Sequence, residues 1–238
     1  MNVIEYFDQV RIINTPSRKD RRAETQSEFE RYGFNINTEK VKFFDGITFT
    51  NAKGFPNPGV RGCFHSHLNV LKNAELAKST NVLILEDDIQ FSKNIINLGT
   101  LAVESLSVLD WDIAYLGHDL TNPNGELTWK KVTGPMLRAH FYCINGKTIA
   151  RLVHFLEQIP ERPVGHVDGG PMHYDGALNT FINSQKNLQV YYFSSNLGYQ
   201  RPSKTNLHAS HFFDSFIVLK PLVSLLRKCK RELYRITR

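Results

Sequence analysis

Apolar positions along this chain come in short runs and in helically spaced stretches, separated by polar loops. "VRIIN" (Val10–Asn14) predicts a strand, and the pattern from Arg21 to about Tyr32 predicts a helix stopped by Gly33. "VKFFDG" (Val41–Gly46) predicts a second strand, and residues 47–62, with "GFPNPG", an irregular loop. In "CFHSHLNVLKNAELAKS", Phe64, Leu68, Leu71, Ala74, Leu76 and Ala77 recur near helical spacing. "VLIL" (Val82–Leu85) is a continuous apolar run, expected to be a buried strand, and it leads straight into Glu86, Asp87 and Asp88. "WDIAYLG" and "HFYCIN" predict further strands, and "GKTIARLVHFLEQI" a helix ended by Pro160. A turn-rich segment then leads to a helix, "ALNTFINSQ", and a last strand, "VYYFSSNLG". This alternation predicts an α/β fold, a mostly parallel sheet flanked by helices. Ligands of such sheets bind at the carboxyl ends of the strands. Asn14, Glu86–Asp88 and the residues after Tyr115 stand at such ends.

Composition adds limits. With 238 residues, 41% hydrophobic and 22% charged, the chain can bury a substantial core. From Lys220 to Arg238 there are seven Lys or Arg against one acid, Glu232, which equals the whole net charge of +6. A basic tail on a balanced domain gives little support to nucleic-acid binding, which wants a basic face on the fold. The start of the chain lacks the pattern of a signal peptide, and no run reaches the ~20 apolar residues of a membrane span. Cys63, Cys143 and Cys229 are widely spaced, so reduced thiols in a cytoplasmic protein are expected, with Cys63 and Cys143 in the core.

Three carboxylates in a row repel one another unless a positive group sits against them. A solvated turn is the plain explanation; a hard divalent cation, which takes oxygen ligands, is the sharper one. On an extended chain alternate residues share a face, so Glu86 and Asp88 are expected to point one way and Asp87 the other. "NTPSRKDRR" brings Arg18, Lys19, Arg21 and Arg22 to the end of the first strand, where guanidinium groups can pair with phosphate, although a solvated helix start explains them as well. No glycine-rich phosphate loop follows that strand. His65 and His67 are too close in sequence to share one helical face, so they are not expected to ligate zinc together. Asp168, His173 and Asp175 are candidate general bases, with turn chemistry as the alternative.

These segments in this order resemble glycosyltransferase family 25, the bacterial lipooligosaccharide galactosyltransferases and the collagen galactosyltransferases. The resemblance is carried by "IINTPSRKDRR", "FFDG", "GVRGCFHSHLNVLKN", "VLILEDD", "WDIAYLG" and "HFYCINGKTIARLV", and more loosely by "MHYDGAL" and "YQRPSKTNL". It spans roughly residues 10–207. It implies a single GT-A-like domain over residues 1–210, with an amphipathic basic tail over 211–238. It further implies an inverting, metal-dependent enzyme that moves a hexose, galactose or glucose, from a UDP-sugar to a glycan hydroxyl, as in lipopolysaccharide biosynthesis. Carried over, Glu86, Asp87 and Asp88 stand at the family's carboxylate motif for Mn2+ or Mg2+. Glu86 and Asp88 are the expected metal ligands, with His208, or else His211, as a third. Asn14, Arg18, Arg21, Asp45, Ser66, His67, Glu86 and Asp87 are the expected donor-binding residues, and Asp175 the catalytic base. Departures from the family pattern include Thr15 in "INT", Arg61 in place of an acid and Asn206 in place of another.

The tail, residues 212–238, is an apolar run followed by a basic one. It is expected either to contact anionic membrane from the cytoplasmic side, which suits a lipid-linked acceptor, or to dock on the domain. Two other function classes remain beside the transferase: another nucleotide-using transferase on a similar sheet, and a non-catalytic relative that binds glycan or nucleotide.

Overall fold

The computed structural model describes residues 1–201 of the chain. The expectations for Asn206, His208, His211, Cys229 and the tail over 211–238 lie outside the described residues. A seven-stranded sheet runs through the domain in the order β2(Val41–Asp45), β1(Gln9–Asn14), β3(Asn81–Glu86), β7(Phe141–Asn145), β5(Ile113–Tyr115), β8(Val190–Phe193), β6(Trp129–Lys131). The pairs β1–β2, β1–β3 and β5–β8 are parallel; β3–β7, β5–β7 and β6–β8 are antiparallel. Five strands thus share one direction, and β7 and β6 oppose them. The fold is α/β with a largely parallel sheet, but a mixed one. Alternation along the sequence could not reveal the two reversed strands, because it does not record strand direction.

Helices cover both faces, which is why "VLIL" has no polar face. Val82 and Ile84 belong to the core beneath α2(Pro58–Leu76), α4(Gly146–Gln158) and α5(Tyr174–Ser184), with Phe64, Leu71, Leu152 and Phe181. Leu83 and Leu85 belong to the opposite core with Phe7, Phe29 from α1(Lys19–Arg31), and Ala102 and Leu106 from α3(Ile95–Leu106). All these side chains are buried.

Helix α2 begins at Pro58, inside the stretch 47–62 expected to be loop. Asn57 caps it, its side chain accepting from Val60 N at 2.9 Å, and Pro58 at the first position needs no intrahelical N–H partner. At Gly62 a Cβ would stand 2.4 Å from Ile47 O, so glycine lets the helix lie directly on that loop.

The chain runs from β1 through α1 to β2 on one side, then through α2 to β3 on the other. Such a reversal opens a crevice at the carboxyl ends of the two diverging strands. Register sets Asn14 opposite Asp45, and Ile13 opposite Glu86. A two-stranded ribbon, β4(Ile89–Phe91) with β9(Gly198–Gln200), pairs antiparallel and brings Gln200 to this crevice.

Candidate active site

A cleft of about 730 Å³ opens at the carboxyl ends of β1 and β3. Thr15, Arg18 and Arg21 line one side; Cys63, Ser66 and His67 come from α2. Glu86–Asp88 form its floor, and Arg138, Tyr174, Asp175, Gln200 and Arg201 stand around the rest.

All three carboxylates line this cleft, so Asp87 does not point away as alternation predicted. The strand ends at Glu86, and Asp87 and Asp88 lie in the turn before β4, where the two-residue period no longer holds. Asp87 is a structural anchor: its Oδ1 accepts from Arg21 Nη1 at 2.8 Å and its Oδ2 from Asn14 Nδ2 at 2.7 Å. Arg21 also lies 3.5 Å from Asp88 Oδ2. Asn14 is buried behind the lining and also donates to Arg18 O, at 3.2 Å.

Asp88 has a different environment. Its Oδ1 is buried and has no hydrogen-bond partner among the described residues. Burial, and then the Glu86 charge, push its carboxyl up to about 7 despite Arg21. Burial also penalises the charge on Glu86, but His67, His140 and Gln200 together outweigh it and hold that carboxyl below its ordinary range. His67 Nε2 lies 3.5 Å from Glu86 Oε1, and Gln200 Nε2 donates to Glu86 Oε2 at 2.8 Å. The two neighbouring carboxyls are thus pushed in opposite directions, Glu86 toward its charged form and Asp88 toward its neutral one. A buried carboxylate oxygen without a donor suits an oxygen-seeking divalent cation, and Glu86 with Asp88 could hold one.

His67 is buried, stacked on Tyr174 at 4.0 Å with planes 10° apart, and its Nδ1 is 2.9 Å from Tyr142 OH. Ser66 Oγ donates to Gly62 O at 2.7 Å and accepts from Ile47 N at 2.8 Å, tying the loop to α2. Asp175, in the first turn of α5, accepts from Gly176 N at 2.9 Å and from Arg138 N at 3.1 Å. His173 lines the cleft and Asp168 does not. Of the arginine loop, Arg18 and Arg21 reach the lining, Arg18 bonding Asp20 at 2.8 Å. Arg22 instead packs 4.4 Å over Phe43, and 3.7 Å from Asp45, which is exposed and outside the lining. His65 packs against Phe49, Phe55 and Phe64.

Cys63 was expected in the core, but lines the cleft 4.0 Å from Glu86 Oε1. Burial and the Glu86 charge push its thiol well above the ordinary value. Its place four residues before His67 was the available signal, since residues so spaced share a helix face. Gln200 and Arg201 were missed. Arg201 N donates to Asp88 O at 2.6 Å, and its guanidinium bonds Asp87 O and Thr25 Oγ1. Only the loosely matching "YQRPS" hinted at them.

No family model matches the chain. It is 26% identical to the mouse protein named inactive glycosyltransferase 25 family member 3 over 156 residues, covering 57% of this chain and 26% of the relative. It is 31% identical to the Xenopus laevis procollagen galactosyltransferase 1-B over 132 residues, 47% of this chain and 21% of the relative. The chain thus spans about a quarter of the length of these relatives. In fold it is similar, at a TM-score of 0.50 and 11% identity, to a glycosyltransferase involved in glycosylation of the major capsid of PBCV-1. That likeness covers 83% of this chain and 94% of the other. Over about half its length, this chain is related to the glycosyltransferase 25 family.

Proposed function

We propose that this chain is an inverting glycosyltransferase of GT-A type that transfers a hexose from a UDP-sugar to a glycan hydroxyl with the help of Mn2+ or Mg2+. The observation that carries this reading is the buried Asp88 Oδ1, without a hydrogen-bond partner among the described residues, beside Glu86 at the floor of an arginine-walled cleft. Glu86 and Asp88 would hold the cation, which when bound offsets negative charge on the leaving diphosphate. Arg18 contributes positive charge to the same wall, and Arg21 balances Asp87 and Asp88. Asp175 stands on the lining from a separate element, as a base needs to, and two backbone N–H groups orient its carboxylate. In this reading it takes the acceptor hydroxyl proton while the oxygen bonds the anomeric carbon and the bond to the diphosphate breaks. His67, seated by Tyr142 and Tyr174, positions Glu86. The basic tail, in the same reading, holds the enzyme against anionic lipid near a lipid-linked acceptor.

Calorimetric titration of UDP-galactose and UDP-glucose, with and without Mn2+, tests this reading, followed by assay of UDP release. Mn2+-dependent binding of one donor is the expected result; binding of nucleoside triphosphates instead would overturn it. A second reading has its own support, because several relatives are named inactive. In that case donor binds in the cleft and no UDP is released with any acceptor.

A further inference from the structure

Cys63 and His67 stand one helical turn apart on α2, so both project from the face that meets the end of β3. One ligand atom from each of Cys63, His67 and Glu86 lies within 4.8 Å of the other two. His67 Nε2 is 3.5 Å, and Cys63 Sγ 4.0 Å, from the same oxygen, Glu86 Oε1. A tetrahedral zinc site, with Zn–S of ~2.3 Å and Zn–N or Zn–O of ~2.0 Å, has ligand-to-ligand edges of roughly 3.3–3.5 Å. Small side-chain adjustments therefore close this triangle around an ion.

The outer contacts suit the same purpose. Tyr142 OH engages His67 Nδ1 and the Tyr174 ring stacks on the imidazole, which leaves Nε2 aimed at Glu86. Gln200 holds the far carboxylate oxygen of Glu86. Partners of this kind orient metal ligands and fix the imidazole tautomer. The donor set also differs in kind from Glu86 and Asp88: sulfur and nitrogen favour borderline-soft ions, whereas an all-oxygen pair favours Mg2+ or Mn2+. All three residues line the cleft, so a fourth position stays open to it.

We propose that Cys63, His67 and Glu86 form a zinc-class metal site on the floor of the cleft, sharing Glu86 with the oxygen-only pair and so competing with Mn2+. Zinc binding forms a sulfur–metal bond as the thiol proton leaves to the buffer. The site uses neither Asp88 nor Asp175, so it stands whether or not the sugar-transfer reading does.

The test is titration of the full chain, freed of metal by chelation, with Co2+ as a spectroscopic stand-in for zinc. One Co2+ per chain with a near-ultraviolet thiolate charge-transfer band is expected, displaced by one equivalent of Zn2+. Cys63→Ser should abolish the band, His67→Gln should weaken Zn2+ binding at least ten-fold, and Cys229→Ser should leave the band intact. Asp88→Asn separates the two readings: the cobalt band should persist while Mn2+ binding falls at least ten-fold. A band that survives Cys63→Ser, or vanishes in Asp88→Asn, overturns the proposal. Alkylation of the unmodified chain gives an answer even where a variant does not fold. Zn2+ should slow iodoacetamide labelling of Cys63 at least ten-fold, and equal rates with and without Zn2+ overturn the site.

Discussion

Arg21 Nη1 lies 2.8 Å from Asp87 Oδ1, and both side chains are nearly buried, at 13% and 8% exposure. This pair ties α1 to the turn after β3 and, with Asn14 on the other oxygen, gives both oxygens of the central carboxylate a protein donor. Removing one partner of such a buried pair leaves an uncompensated charge and typically costs ~3–5 kcal/mol. Arg21→Ala should therefore lower the urea midpoint strongly. A midpoint within error of the parent would mean that the pair carries no stability.

Asp88 makes a pH prediction with a definite sign. Its folded carboxyl titrates at about 7 and an unfolded one near ~3.9, so the folded chain holds the extra proton between those values. Stability from this group is present below the unfolded value and is lost as pH rises through about 7. In metal-free buffer Asp88→Asn should stabilise the chain at pH ~8, by at most ~4 kcal/mol, and less at pH ~5. Urea unfolding at the two pH values measures this, and equal gains at both would contradict it.

Asp175→Asn tests the proposed base. The amide keeps an oxygen for Gly176 N or Arg138 N, but cannot take a proton. The turnover number should fall by roughly 10²–10⁴ while donor affinity stays within about two-fold. A parallel loss of donor binding would assign Asp175 to the donor rather than the acceptor.

Gly117 lies in close contact with His140, Phe141 and Gly198. A Cβ there would meet His140 Nε2 at 2.6 Å, Phe141 Cβ at 2.8 Å and Gly198 O at 2.9 Å. It would wedge apart the contact of His140 Nε2 with Gly198 O, now 3.0 Å, one of several that, with the β4–β9 ladder, position β9 and Gln200. Gly117→Ala should cost ~1–3 kcal/mol and weaken Mn2+ binding as well. Unchanged thermal unfolding would show that these neighbours yield without cost.

Much of the fold was legible because local pattern encodes which side of an element is apolar. "VRIIN", "VLIL" and "HFYCIN" are strands, and the periodic stretches after Phe64 and Gly146 are helices, as hydrophobic spacing predicted. The carboxylates stand at a strand end within the cleft, as strand-end position suggested. Chain direction was not legible, since β7 pairs antiparallel by closing a ladder that no local residue announces. Nor were the uses of the carboxylates. Asp87 became an anchor because the strand stops one residue earlier, and Glu86 was fixed by Gln200, 114 positions away. Cys63 reached the cleft because α2 starts at Pro58 and turns that face toward β3. By itself the sequence determined which residues bury together; hydrogen bonds and charges closing across long separations decided what each acid of "EDD" faces.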